Sequence, residues 1–286
     1  MSASRLSQRL VESLAGHGVK AASPLPRAFE DSTNDLWRLH RRPGPDWLMR
    51  IPRPGAEDTP FWRGMSGLFG WPLNELESRY RAIARLSPLR IPGPVGRIEA
   101  MEDEAHFVTE WLVGEPAVAS PANAERLGHH LAALHDLSGE GHGKAGWWER
   151  LAEVLETLGG DLPHTRHYAD AARRLLAPAE WCWVLPDIRW DQFLMREGRL
   201  DALVDIEAFV VGPPALDFIA LEYQLDDEQA RRLVAAYRKH RPLPDLATCR
   251  AVYRYLFFLM GILGETDLER WMAHPPLLDQ VAKRAG

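Results

Sequence analysis

The chain is poor in cysteine. Cys182 and Cys249 are the only two in 286 residues, and neither belongs to a CxxC pair or a Cys/His cluster. That argues against a disulfide framework or a structural zinc site and points to a reducing compartment. Long apolar runs are missing as well: Tyr255 to Leu263 is the longest, well short of the roughly 18 residues a membrane span needs. Met1 to Glu12 has no uninterrupted apolar core of the kind a secretory signal carries. A basic surplus is absent: the formal net charge is −6, without a Lys/Arg-rich run, which argues against a nucleic-acid surface. The expectation is a soluble, cytoplasmic protein with neither membrane nor nucleic-acid partner. Oligomeric state is not legible from these features.

What is present is an ordinary globular composition, 46% hydrophobic and 26% charged. Leu6, Leu10, Val11 and Leu14 fall at helical spacing before Gly16 and Gly18. Polar turn formers from Asp31 to Asp35 between short apolar pieces predict a hairpin, and Trp47 to Ile51 predicts a strand ahead of Pro52 and Pro54. The segment from Gly55 to Trp71 fits a loop or a short helix equally. A helix over 73–86 and strands over 95–100 and 105–113 follow. Beyond Gly114 to Pro121 the pattern turns largely helical. The domain reading is an N-lobe over 1–113, a linker over 114–122 and a mainly helical C-lobe over 123–286, with ligands expected in the crevice between the lobes.

The chemistry concentrates in one stretch. Asp187 is followed by Arg189, Asp191 and Gln192, then by a turn at Glu197-Gly198, and then by Val204-Asp205-Ile206-Glu207. Asp187 and Gln192 sit at the two ends of one loop, and a hairpin through Glu197-Gly198 returns Asp205 to the same mouth. Phosphoryl transfer needs a carboxylate to orient an attacking hydroxyl, oxygen ligands for Mg²⁺ and cations along the phosphates. Asp187 can be the base, with Gln192 and Asp205 as metal ligands. The same aspartates also read as turn or cap residues, with Gln192 facing solvent. His129, His130 and His135 lack the i, i+4 spacing of a metal helix, and His135 reads as a packing or capping residue. Eleven tryptophans fit either an aromatic pocket for a cation or a core. The acidic group Glu222, Asp226, Asp227 and Glu228 fits either a cationic ligand or a solvated helix start.

These residues resemble the aminoglycoside phosphotransferase and choline kinase-like family, built on the protein-kinase-like fold. The family pattern of H-G-D-x-x-x-x-N, then I-D-W or I-D-F-E, then G-D-P-x-x-D is matched in spacing by Leu185-Pro186-Asp187-x4-Gln192, Val204-Asp205-Ile206-Glu207 and Gly212-Pro213-Pro214-x2-Asp217. Phe107 to Pro116 resembles the strand and linker that hold the nucleotide base, and Leu127 to Leu137 resembles the first large-lobe helix. The resemblance implies an α+β, two-lobed fold with a small antiparallel-sheet N-lobe and a larger mainly helical C-lobe. It implies a small-molecule kinase that moves the γ-phosphoryl of ATP (or GTP) to a hydroxyl of a small metabolite or antibiotic, cationic ones included, with Mg²⁺. It places Asp187 as base, Gln192 and Asp205 at the metal, Asp217 as a buttress of the loop, and Arg50 at the phosphates with Glu77 as its helix partner. Ser32 and Asn34 fall in the nucleotide-covering loop, and the backbone of Glu110 to Leu112 at the base.

The chain also departs from the pattern. Leu185 stands where the family has His, Pro186 where it has Gly, and Gln192 where it has Asn. Proline cannot supply the positive φ that a loop built around glycine can require. The loop Glu30 to Asp35 has no glycine, which limits how closely backbone N–H groups approach phosphate. These departures keep a second reading open: a pseudokinase-like binding or regulatory module without turnover.

Overall fold

The computed structural model describes residues 6–26, 33–70, 76–101, 104–137 and 145–284. The chain divides into two compact units, one of Met1–Thr59, Leu73–Arg85 and Ile91–Val113, the other of Pro60–Pro72, Leu86–Arg90 and Gly114–Gly286.

The first unit opens with helix α1 (Gln8–Gly16), whose N-cap Ser7 hydroxyl accepts the Leu10 N–H at 3.2 Å. An antiparallel sheet follows, built of β1 (Val19–Pro24), β2 (Asn34–Arg41), β3 (Trp47–Pro52), β4 (Pro94–Met101) and β5 (Glu104–Glu110) in the order β1-β2-β3-β5-β4. Leu10 and Leu14, one turn apart, pack with Trp37, Leu39, Trp47 and Met49 of the sheet. β2 pairs with β3 on one edge and with β1 (Val19–Pro24) on the other, the latter lying earlier in the chain than the hairpin predicted around Asp31 to Asp35. Lys20-Ala-Ala-Ser23 carries little apolar alternation, so pairing with β2 rather than local pattern makes it a strand. Residues 27–32, where the predicted turn begins, lie outside the described residues. Helix α3 (Leu76–Leu86) sets Tyr80 and Ile83, both fully buried, on one face.

The ambiguous segment after Gly55 contains helix α2 (Pro60–Phe69), which belongs to the second unit. It packs on α5 (Trp147–Gly159) and α9 (Arg250–Met260), where a Cβ on Gly64 would come within 2.8 Å of Met260 and one on Gly67 within 2.6 Å of Val154. The same unit holds β6 (Glu115–Pro116), α4 (Pro121–His135), α6 (Thr165–Arg173), α7 (Ala215–Glu222), α8 (Asp227–Arg238), α10 (Leu268–Met272) and α11 (Leu277–Arg284). Helices α4 and α8 approach closely because Gly128 has no side chain: a Cβ there would lie 2.4 Å from the Leu233 carbonyl. Fully buried Glu222 accepts from Arg250 at 3.0 and 3.1 Å, from Arg254 at 2.9 Å and from Leu278 N–H at 3.2 Å, tying α7, α9 and α11 together. No helix among the described residues is long and apolar enough to cross a membrane.

Strands β7 (Cys182–Val184) and β10 (Val210–Gly212) pair antiparallel, as do β8 (Phe193–Arg196) and β9 (Arg199–Leu203), with β6 on the free edge of β8. The β8–β9 turn is the predicted one. Glu197 and Gly198 have φ of 52° and 72°, the left-handed pair that a tight two-residue hairpin needs.

Candidate active site

Strand β7 runs into a four-residue turn closed by a 2.9 Å bond from Ile188 N–H to the Leu185 carbonyl. Pro186 takes the second position, where its fixed φ is favourable, and Asp187 the third. Proline therefore suits this loop, and the glycine expected from the family pattern is not needed. The turn is anchored from below. Leu185 N–H donates to Asp217 Oδ1 at 2.7 Å, and Asp217 Oδ2 lies 3.0 Å from His135 Nε2. His135 Nδ1 meets the Tyr237 hydroxyl at 3.0 Å. Asp217 and His135 are both buried. Thus α4, α7 and α8 hold the turn through one carboxylate, while the Leu185 side chain packs in the core at 1% exposure. His135, read from sequence as a packing residue, is part of this brace.

Gln192 is 1% exposed rather than solvent-facing. Its Oε1 accepts the Arg189 N–H at 2.9 Å, and its Nε2 donates to the Asp187 carbonyl and to Asp187 Oδ2, each at 3.3 Å. The side chain therefore laces the loop onto Asp187. Its own carbonyl accepts Val204 N–H at 2.7 Å, which sets the position of Asp205. Asp205 has φ of 58°, the left-handed region that costs a residue with a Cβ and that Asp tolerates better than most.

Arg189 lies among the carboxylates. It reaches Asp191 Oδ1 at 3.2 Å and Asp187 Oδ2 and Asp205 Oδ2 at 3.4 Å each. Asp187 Oδ1 is buried and has no hydrogen-bond partner among the described residues. Burial pushes the Asp187 carboxyl up to about 7; Arg189 pulls the other way, and Asp205 and Glu207 push further up. The half-exposed Asp205 carboxylate fits a hard divalent cation, which takes carboxylate oxygens and completes its shell with water. The Gln192 oxygen is engaged by the loop. No group of three or more His, Cys, Asp and Glu side chains among the described residues is placed to hold a metal.

The predicted nucleotide-side residues lie in the first unit. Arg50, 3% exposed, donates to Thr109 Oγ1 at 3.1 Å and to the Tyr80 hydroxyl at 2.6 Å, and its guanidinium lies 5.0 Å from the centre of the Tyr80 ring. Tyr80 thus links Arg50 to α3. Glu77, one turn before Tyr80, pairs with Arg81 at 2.7 Å. Asn34 donates to Thr33 Oγ1 at 3.2 Å; Ser32 lies outside the described residues. At the end of β5, Glu110 N–H donates to the Gly93 carbonyl at 2.8 Å, and its carboxylate accepts Gly93 N–H at 3.3 Å; Leu112 is half-buried.

The remaining candidates are structural. Asp226 caps α8, accepting Glu228 and Gln229 N–H at 3.0 and 2.8 Å, and Glu222 is taken up by Arg250 and Arg254. Trp147, Trp148 and Trp271 are buried; Trp148 stacks on Tyr253 and Trp271 on Tyr223.

The chain is similar in fold to a macrolide 2'-phosphotransferase type I, at TM-score 0.65 and 16% identity over 99% of this chain and 98% of that one. It is likewise similar to the ADP-bound aminoglycoside phosphotransferase APH(2'')-Ib, at 0.61 and 15% over 97% and 96%. The macrolide 2'-phosphotransferase MphH of Brachybacterium faecium, as apoenzyme, superposes at 0.59 and 17% over 87% and 92%. No curated protein sequence matches the chain. The model of the phosphotransferase enzyme family (APH) matches residues 26–252. With a mixed fold carrying a five-stranded antiparallel sheet, and with that match across most of its length, the chain belongs to the phosphotransferase enzyme family.

Proposed function

We propose that the protein transfers the γ-phosphoryl of ATP or GTP to a hydroxyl of a small molecule. The observation that carries this is Asp187: a buried carboxylate with one oxygen tied by Gln192 and Arg189 and the other, Oδ1, without a partner among the described residues. Oδ1 accepts the proton of the acceptor hydroxyl as its oxygen attacks, and the braced turn keeps the carboxylate from rotating away. Asp205 would hold a divalent cation whose shell water completes, leaving Asp187 Oδ1 to the acceptor hydroxyl. The cation, when bound, neutralises charge on the transferring phosphoryl. Arg50 supplies positive charge on the nucleotide side, with Asn34, Ser32 and Glu77 in supporting places and the backbone of Glu110 to Leu112 at the base. Support comes from family membership and from fold relatives described with ADP, or with GDP and kanamycin. The test is nucleotide consumption with Mg²⁺ against a panel of amino alcohols, sugars, macrolides and aminoglycosides. Acceptor-dependent turnover in the wild type, lowered at least about 100-fold in Asp187→Asn, is the expected result. Equal turnover in both would remove Asp187 from the reaction.

A second reading, a binding module without turnover, is favoured by the engagement of the Gln192 oxygen by Arg189 N–H. A Mg²⁺-dependent rise in melting temperature with ATP or GTP, followed by no acceptor-dependent consumption across the panel, is its signature.

A further inference from the structure

We propose that Arg189 is a resident counter-ion of the Asp187–Asp205 pair, exchanging with a divalent cation for Asp205. This rests on the assignment of that cation to Asp205 made above. The guanidinium already spans the two carboxylates, at 3.4 Å from one oxygen of each. A divalent cation on Asp205 and a guanidinium on the same carboxylate repel, so each weakens the other's hold.

The geometry favours exchange over permanent pairing. The structural arginine pairs of this protein are shorter: Arg250 and Arg254 reach Glu222 at 3.0 and 2.9 Å, and that carboxylate is fully buried. Arg189 instead makes long contacts to Asp205, whose side chain is 47% exposed. Its backbone is fixed independently, by Gln192 Oε1 at 2.9 Å, so the side chain can leave Asp205 without disturbing the loop. It also has somewhere to go. Asp191, 55% exposed, already holds Nε at 3.2 Å, and that contact can persist when the terminal nitrogens swing away. Arg189 thereby sets the metal affinity of the site and keeps Asp187 and Asp205 from repelling one another when no cation is bound.

The experiment measures metal binding by the full-length protein without nucleotide, with free Mn²⁺ counted by electron paramagnetic resonance. Arg189→Met and Arg189→Gln, which both remove the charge while Gln keeps donors for the carboxylates, should bind Mn²⁺ at least about tenfold more tightly than wild type. Arg189→Lys should stay within about threefold of wild type. Unchanged or weaker binding in both neutral variants overturns the exchange, as does failure of both to fold, since Arg189 would then be a structural cation. Asp205→Asn separates this from the underlying assignment. Undiminished Mn²⁺ binding in that variant removes the cation from Asp205 and the proposal with it; lost binding there leaves the Arg189 variants to decide exchange alone. None of these readings depends on turnover.

Discussion

His135 Nε2 lies 3.0 Å from Asp217 Oδ2, and the other oxygen of that carboxylate accepts the N–H of Leu185 at 2.7 Å. A single buried aspartate therefore joins the end of α4 to the turn that carries Asp187. Asp217→Ala leaves two buried partners unsatisfied and should cost about 2 to 4 kcal/mol in urea unfolding. A loss below about 0.5 kcal/mol would mean the bonds do not brace the turn.

Asp187→Asn should lower kcat by about 10² to 10⁴ and at the same time stabilise the fold. Burial raises the native carboxyl to about 7 from 3.8. Between those values the native state holds a proton the unfolded chain has released, so the contribution of Asp187 to stability falls as pH rises from about 4 to about 7 and stays low above it. At pH 8 the Asn variant should exceed wild type by about 1 to 2 kcal/mol in urea unfolding. A variant less stable than wild type at that pH would refute a net cost of ionising Asp187 in the fold.

The rate should follow the same proton. Asp187 acts as base only when ionised, so kcat/KM should rise through a pH near 7, with Glu207→Gln moving that limb to lower pH because Glu207 pushes Asp187 up. A profile flat from about pH 5.5 to 8.5 would exclude Asp187 as the titrating base.

Asp205 should separate charge from backbone conformation. At φ of 58°, Asp205→Gly should be more stable than Asp205→Ala by about 1 kcal/mol, with acceptor-dependent activity lost in both. Equal melting temperatures for the two would show that the left-handed backbone is not maintained.

His130 offers a test away from the site. Its ring packs against Phe193 with neither nitrogen bonded among the described residues, and burial, with His135 adding, pushes it down to about 3 from 6.5. Below pH 6.5 the unfolded chain takes up a proton that the native ring refuses, so the contribution of His130 falls toward acid at up to about 1.4 kcal/mol per pH unit, opposite in sign to that of Asp187. His130→Leu should therefore gain in urea unfolding free energy relative to wild type as pH falls from about 6 to 4.5; a difference between the two that does not change with pH would mean that His130 does not carry this proton.

Helix α1 was legible because Leu10 and Leu14, its buried residues, repeat at helical spacing before Gly16. The hairpin through Glu197-Gly198 was legible because few other sequences accept two left-handed residues in succession. Strand β1 was not, since Lys20-Ala-Ala-Ser23 becomes a strand through pairing with β2. Helix α2 stayed open between loop and short helix, because Gly64 and Gly67 weaken the local helical signal while in the fold they admit Met260 and Val154.

By itself, the sequence determined the spacing of Asp187, Gln192, Asp205 and Asp217, and with it the family, because those intervals are properties of the chain. Tertiary structure decided which of these side chains meet and through which atoms. Gln192 became a lacing residue, Arg189 the cation among the aspartates, and His135, distant in sequence, the brace of Asp217. Such roles depend on hydrogen-bond direction and burial, which arise only when remote segments pack, and neither is written in the spacing of residues along a strand or loop.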